Sequence, residues 1–161
     1  MTVCVKPLNL CFPALLAILC AACGGTASED AAGPDAQVTT LGSIEVTAQL
    51  VEIPTEFPPN KLYDYAYVMK YKVLEVHRGD VPGDDIFVGH YNPLKPRNAV
   101  ADARVKDIGG NLRAFRAGDI HRMALEAPID DHYMGGIVNE YFGDDTGTIY
   151  WAVWTNPAPS S

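Results

Sequence analysis

Beyond Cys23 the chain contains no cysteine. Everything after that point therefore forms no disulfide and offers no thiolate nucleophile or soft metal ligand. Serine is almost as scarce: Ser43 is the only one between residues 29 and 159, and it stands in no nucleophile-elbow context, which leaves no basis for serine catalysis. There is no cluster of lysine and arginine, no heptad pattern and no internal repeat. Without a basic patch to neutralise phosphates, nucleic acid is excluded as a partner. The four histidines, His77, His90, His121 and His132, include no pair one helical turn apart with an acid beside it, so no zinc motif, metal or cofactor is expected. Paired acids at Asp84 and Asp85, Asp130 and Asp131, and Asp144 and Asp145 lack the alternating oxygen ligands of a calcium loop. Adjacent acids on one loop also do not set two carboxylates across a cleft, as glycoside cleavage requires; they read as solvated turns.

The amino terminus is richer. Lys6 precedes an apolar run from about Leu8 to Ala22 that is interrupted by Pro13 and ends in small residues. A spanning helix needs about 20 apolar residues, so residues 1–22 read as a cleaved export signal. All four cysteines, Cys4, Cys11, Cys20 and Cys23, lie in or directly after this run. The string AILCAACGG resembles the lipobox of bacterial lipoproteins, in which the final cysteine is lipidated and becomes the first mature residue. Ala21, Ala22, Cys23 and Gly24 match it, whereas Cys20 stands where leucine is preferred. The resemblance implies lipidation at Cys23 and an exported protein held on the periplasmic side of the outer membrane or at the cell surface. The competing reading is ordinary cleavage near Ala22 or Ala27. Lipidation accounts better for a lone cysteine at the boundary, because the exported chain offers it no partner.

After Cys23, the segment to residue 41 is rich in Gly, Ala, Ser, Thr and acid, with Val38 the one large apolar residue before Leu41. It reads as a flexible tether with a reach of roughly 20–25 Å. Removing the signal takes away Lys6, one of 12 basic side chains, leaving 11 against 20 acidic ones, a formal charge of −9. That charge suits solubility and is repelled by anionic lipid, so the membrane link runs through the anchor.

Residues 42–155 are the size of one domain and large enough to bury roughly two-thirds of its surface. Ile44, Val46, Ala48 and Leu50 alternate with polar residues, the period of a half-buried strand. From Tyr65 to Val76 the apolar phase changes sides near Val73 and Leu74, which predicts a bulge in a strongly bent strand. A Gly-Asp and Pro-Gly turn follows, and residues 86–91 pair back on that strand. Residues 92–119 read as a long connection with a short helix over 100–108, stopped by Gly109 and Gly110. Residues 120–126 and 148–154 supply further strands, with a short helix or edge strand around 137–142 between them. Residues 156–161 read as a disordered tail.

This is a mainly β pattern: about five strands, one bent, with one short helix in a long connection, the arrangement of a small OB-like Greek-key barrel. The stretches YAYVMKYKVLEVHRGDVPGDDIFVG and FRAGDIHRMALE also resemble the barrel of netrin-like and metalloproteinase-inhibitor domains. The amino-terminal cysteine that serves inhibition in that family has no counterpart at the start of this domain, so the resemblance implies the barrel and not the activity.

The most unusual string is GHYNPLKP at residues 89–96. His90, Tyr91 and Asn92 place an imidazole, a phenol and an amide at a strand exit, where binding groups are often mounted on a rigid scaffold. With His121, His132 and Tyr133 they are the candidate ligand-binding residues; no catalytic residue is assigned. The many tyrosines and tryptophans exceed what one small barrel core readily holds, so some are expected on the surface. The resulting expectation is a lipid-anchored envelope binding or assembly module, more a binder than an enzyme, recognising a glycan or an envelope protein. A metal-dependent hydrolase built on His90, His121 and His132 and a purely structural subunit of an envelope complex are the alternatives.

Overall fold

A computed structural model describes Met1 and residues 35–61, 63–141 and 146–158. The signal, Cys23, most of the tether, Asp144, Asp145 and the last three residues lie outside the described residues. Seven strands form one sheet: β1 (Ile44–Glu52), β2 (Tyr65–Arg78), β3 (Asp85–Tyr91), β4 (Gly109–Gly110), β5 (Ile120–Glu126), β6 (Gly136–Val138) and β7 (Ile149–Pro157). The order β1-β5-β7-β3-β2 closes on itself through a β1–β2 pairing. β3 and β7 run parallel, and the other barrel pairings are antiparallel. This closed five-stranded barrel is OB-like, with β4 paired to β7 and β6 to β2 as short additions.

The phase change expected in the second strand is present. Thr47 pairs with Glu75 and Ala48 with Val73, so Leu74 is left without a partner, and a second shift skips His77. Each bulge adds one residue and tightens the twist, which allows β2 to pair with β3 through its first half and with β1 through its second. Leu74 and Val76 are consequently exposed, whereas Tyr67, Met69 and Tyr71 point into the barrel.

The aromatic residues are not surplus to the core. Tyr65, Tyr67, Tyr71 and Tyr150 join Val46, Leu50, Val88 and Met123 in the barrel interior. A second apolar cluster covers the outer side of β2, β3 and β7, where Ala66, Tyr91 and Trp151 meet Ile108, Ile129 and Tyr133. Tyr133 stacks on Trp151 with ring centroids 4.9 Å apart. Ile129 presses so closely on β3 that any side chain at Gly89 would strike it. Two cores thus absorb the rings that the sequence reading placed partly on the surface, and Tyr63 is the one exposed aromatic among the described residues.

Three boundaries are corrected. The tether does not extend to residue 41: Ala36–Thr40 forms a short helix, α1, capped by the side chain of Asp35. Val38 is fully buried, worth about 1.5–3 kcal/mol, and Asp35 also accepts from the indole N–H of Trp154 at 3.1 Å. No helix forms over residues 100–108; apart from β4, the connection contains a 3-10 turn at Arg97–Ala99. Asp102 instead accepts the backbone N–H groups of Arg104 and Val105 at 2.8 and 3.0 Å, and such local bonding competes with a helix. At the carboxyl end β7 continues to Pro157, and Ala158 donates to the carbonyl of Ile120.

Beneath α1, Glu45 is 4% exposed and its carboxylate is held by Arg122 at 2.6 Å and Arg78 at 3.3 Å. Arg78 also donates to the carbonyls of Thr39 and Gly42, so one guanidinium joins the helix to β1. Removing the buried carboxylate leaves two partly exposed arginines without their shared partner. Glu45→Ala is therefore expected to lower unfolding free energy by about 1–3 kcal/mol, as measured by urea denaturation.

Candidate functional site

At the end of β3 the strand alternation sends three consecutive polar residues in different directions. His90 faces the barrel interior and is fully buried. Its Nε2 lies 3.0 Å from the Tyr71 hydroxyl, and His121 Nδ1 lies 3.2 Å from the same oxygen. One hydroxyl has one proton, so Tyr71 donates to one imidazole and accepts an N–H from the other. Phe115 packs against both rings, at 4.5 and 5.8 Å between centroids. The Arg97 guanidinium, itself 4% exposed, sits 5.2 Å from the centre of the Phe115 ring. His90 Nδ1, His121 Nε2 and Arg97 Nε are buried without a hydrogen-bond partner among the described residues.

Burial sets the protonation of this network. It holds His90 well below the usual imidazole range, helped by the charge of Arg97 and by His121. Burial also pushes His121 down to about 4 against the opposing pull of Asp119. The same cause raises Tyr71 well above an ordinary phenol, and lowers Arg97 to about 10. Neutral imidazoles sealed around one phenol thus form a polar, hydrogen-bonded element of the barrel core.

Tyr91 points the opposite way. Its ring lies in the outer cluster, 5.6 Å from Tyr133 and 6.5 Å from Trp151, and its hydroxyl donates to Asp102 at 2.8 Å. Burial and that hydrogen bond raise the Tyr91 phenol. Burial works the other way on Asp102, yet the bonds from Tyr91 and from the Val105 and Arg104 amides hold its carboxyl below the ordinary value. Asn92 adopts φ 42°, a left-handed conformation that asparagine tolerates better than most residues. Its side-chain amide donates to Asp64 at 2.9 Å.

These contacts line up the walls of an outer cleft of about 430 Å³, within the range of about 300–1,000 Å³ typical of small-molecule sites. Asp64, Tyr91, Arg104, His132, Tyr133 and the Met134–Gly136 turn line it. A smaller hollow of about 210 Å³ bounded by Asn60, Lys61 and Tyr63 shares Asp64 and Arg104 with it. Arg104 stands 3.7 Å and Lys95 4.0 Å from the Asp64 carboxylate.

The six sequence-predicted residues therefore divide into two groups. Tyr91, His132 and Tyr133 line the cleft, with Asn92 buried behind Asp64; His90 and His121 meet at Tyr71 inside the barrel. His132 is exposed on the outer wall and does not join the other two histidines. Among the described residues no three His, Cys, Asp or Glu side chains are placed to hold a metal ion. Asp64 and Arg104 escaped the sequence reading because each resembles an ordinary surface charge; the Tyr-Asp-Tyr string at residues 63–65 was the available signal for the first. Comparison with known proteins finds no matching family model, no matching curated protein and no matching solved structure.

The interior histidines make acid stability testable. Both have folded pKa values below the unfolded imidazole value, so the unfolded chain binds protons that the folded one refuses. Their stabilising effect is complete above about pH 6.5 and is lost as pH falls below it, down to about 4 for His121, with His90 acting in the same direction. For His121 the cost is about 2 kcal/mol at pH 5 relative to pH 7. Urea unfolding across that range should show this loss, and His121→Gln should reduce it by about that amount; an unchanged pH slope in the variant contradicts the assignment.

Proposed function

We propose that the chain is an exported, lipid-anchored binding module of the bacterial envelope that presents its outer cleft to a partner and carries out no reaction of its own. The observation that supports this reading is the division at the β3 exit. The groups with chemical potential, His90, His121 and Tyr71, are sealed in the core, whereas the accessible cleft is walled by a carboxylate already paired with two cations. Such a cleft offers donors and acceptors for recognition, and the packing of Tyr91, Tyr133 and Trp151 behind its loops favours binding by a preformed surface.

The anchor is the second part of the proposal. Cys23 follows the apolar run in a lipobox-like string, and the domain behind it contains no cysteine with which it could pair. A diacyl anchor gives stable membrane attachment where a single chain does not, and the acidic domain adds no electrostatic attraction to the lipid surface. The test is expression of the full chain and of Cys23→Ala in a Gram-negative host. The unsubstituted protein is expected in the membrane fraction with an acylated amino-terminal cysteine by mass spectrometry. The variant is expected to lose that mass and to leave the membrane or retain its signal. Identical fractionation and identical amino-terminal mass would end the lipoprotein reading.

A further inference from the structure

Building on the binding-module reading, we infer that the cleft and the hollow beside it together bind a neutral oligosaccharide, with one sugar hydroxyl bridging Asp64 and Arg104. The contrast between a fixed carboxylate and a yielding guanidinium carries the argument. At 3.7 Å the pair is not closed into a charge-assisted hydrogen bond of about 2.7–2.9 Å, and a small withdrawal of the Arg104 tip admits a hydroxyl between them. Asp64 cannot advance, because Asn92 holds it at 2.9 Å from behind. The main chain of Arg104 is fixed by Asp102, and Asp102 in turn by Tyr91. The Arg104 side chain is 75% exposed and free to swing at its tip. A hydroxyl is donor and acceptor at once, so it gives its proton to Asp64 and receives one from the guanidinium. Neither an amine nor a carboxylate satisfies both.

Charge and shape agree with that ligand. Asp64 and, behind the wall, Asp102 offset two of the three cations Lys61, Lys95 and Arg104, so the site carries little net charge for an ionic guest to pair with. The apolar faces of sugar rings need flat or soft surfaces. Tyr63, the one exposed aromatic among the described residues, stands over the smaller hollow, and Met134, also exposed, flanks the larger. Gly135 keeps the wall open, because a side chain there would collide with the Tyr133 phenol. Two hollows that share Asp64 and Arg104 suit two or more consecutive rings with the bridged hydroxyl between them.

The test is isothermal titration of the full chain in detergent with neutral tetrasaccharides of glucose, mannose, galactose, xylose and N-acetylglucosamine, beside a uronic-acid tetrasaccharide. At least one neutral sugar is expected to bind. Asp64→Asn and Arg104→Gln should each weaken it tenfold or more, the double variant no further than the worse single, and Tyr63→Ala several-fold. Exposed Arg116→Gln, remote from the cleft, should leave affinity unchanged. Binding indifferent to all three cleft substitutions, or confined to the uronic acid, overturns the inference but leaves a binding module. A flat panel overturns the saccharide; if a photo-crosslinker at position 63 then traps a discrete envelope protein, the binding-module reading survives, and if it traps nothing, both readings fall.

Discussion

One buried amide ties the two halves of this molecule together. Asn92 bonds through both backbone and side chain: its N–H donates to the Tyr65 carbonyl, and its own carbonyl accepts from the Lys95 amide and from the Arg97 guanidinium at 2.7 Å. Its side chain accepts from the Tyr65 amide at 3.4 Å and donates to Asp64. The residue thereby fixes the exit of β3 against the start of β2, seats Arg97 on the inside and sets Asp64 on the outside. The left-handed backbone at this point reverses the chain so that Pro93 and Pro96 carry it into the connection. A side chain with one donor group and one acceptor was needed here, on a residue that accepts positive φ.

From that pivot the alternation of a β-strand separates structure from recognition. His90, inward, joins Tyr71 and His121 in a neutral polar core whose burial fixes the charge state of its members. Tyr91, outward, locks Asp102 and through it the loop that carries Arg104. Tyr91 thus both lines the cleft and, through Asp102, positions Arg104 on its wall. The outer aromatic cluster supplies the rigidity, since Tyr91, Tyr133 and Trp151 are packed edge and face against one another. A small barrel that sealed only its interior would leave these rings in solvent, and the second cluster is what lets the cleft stand on fixed walls.

Much of the barrel was legible because strands announce themselves by period-two patterning, and a bulge announces itself by a break in that phase. The slip at Val73 and Leu74 appeared in the sequence as a change of apolar side and in the fold as an unpaired residue. What was not legible depends on contacts between distant residues. Val38 looked like an isolated apolar residue in a tether, and only the Asp35–Trp154 bond, spanning 119 positions, explains why it docks. The weak helical spacing over residues 100–108 lost to the Asx turn at Asp102, a local competitor that its sequence position could have suggested. The cleft was half visible: the His-Tyr-Asn string stands out in the sequence, but which of its members faces inward is decided by strand register. Asp64 and Arg104 are brought together only by the closed fold.

The central claim is that Asn92 governs both the fold at this end of the barrel and the placement of Asp64. Its most direct test is Asn92→Gly, which keeps the backbone conformation and deletes only the side chain. Measured side by side, urea unfolding and oligosaccharide titration of this variant are predicted to show a loss of about 1–3 kcal/mol, from the Tyr65 amide left unpaired, together with clearly weakened binding. A variant as stable as the parent and binding with the same affinity would contradict the account.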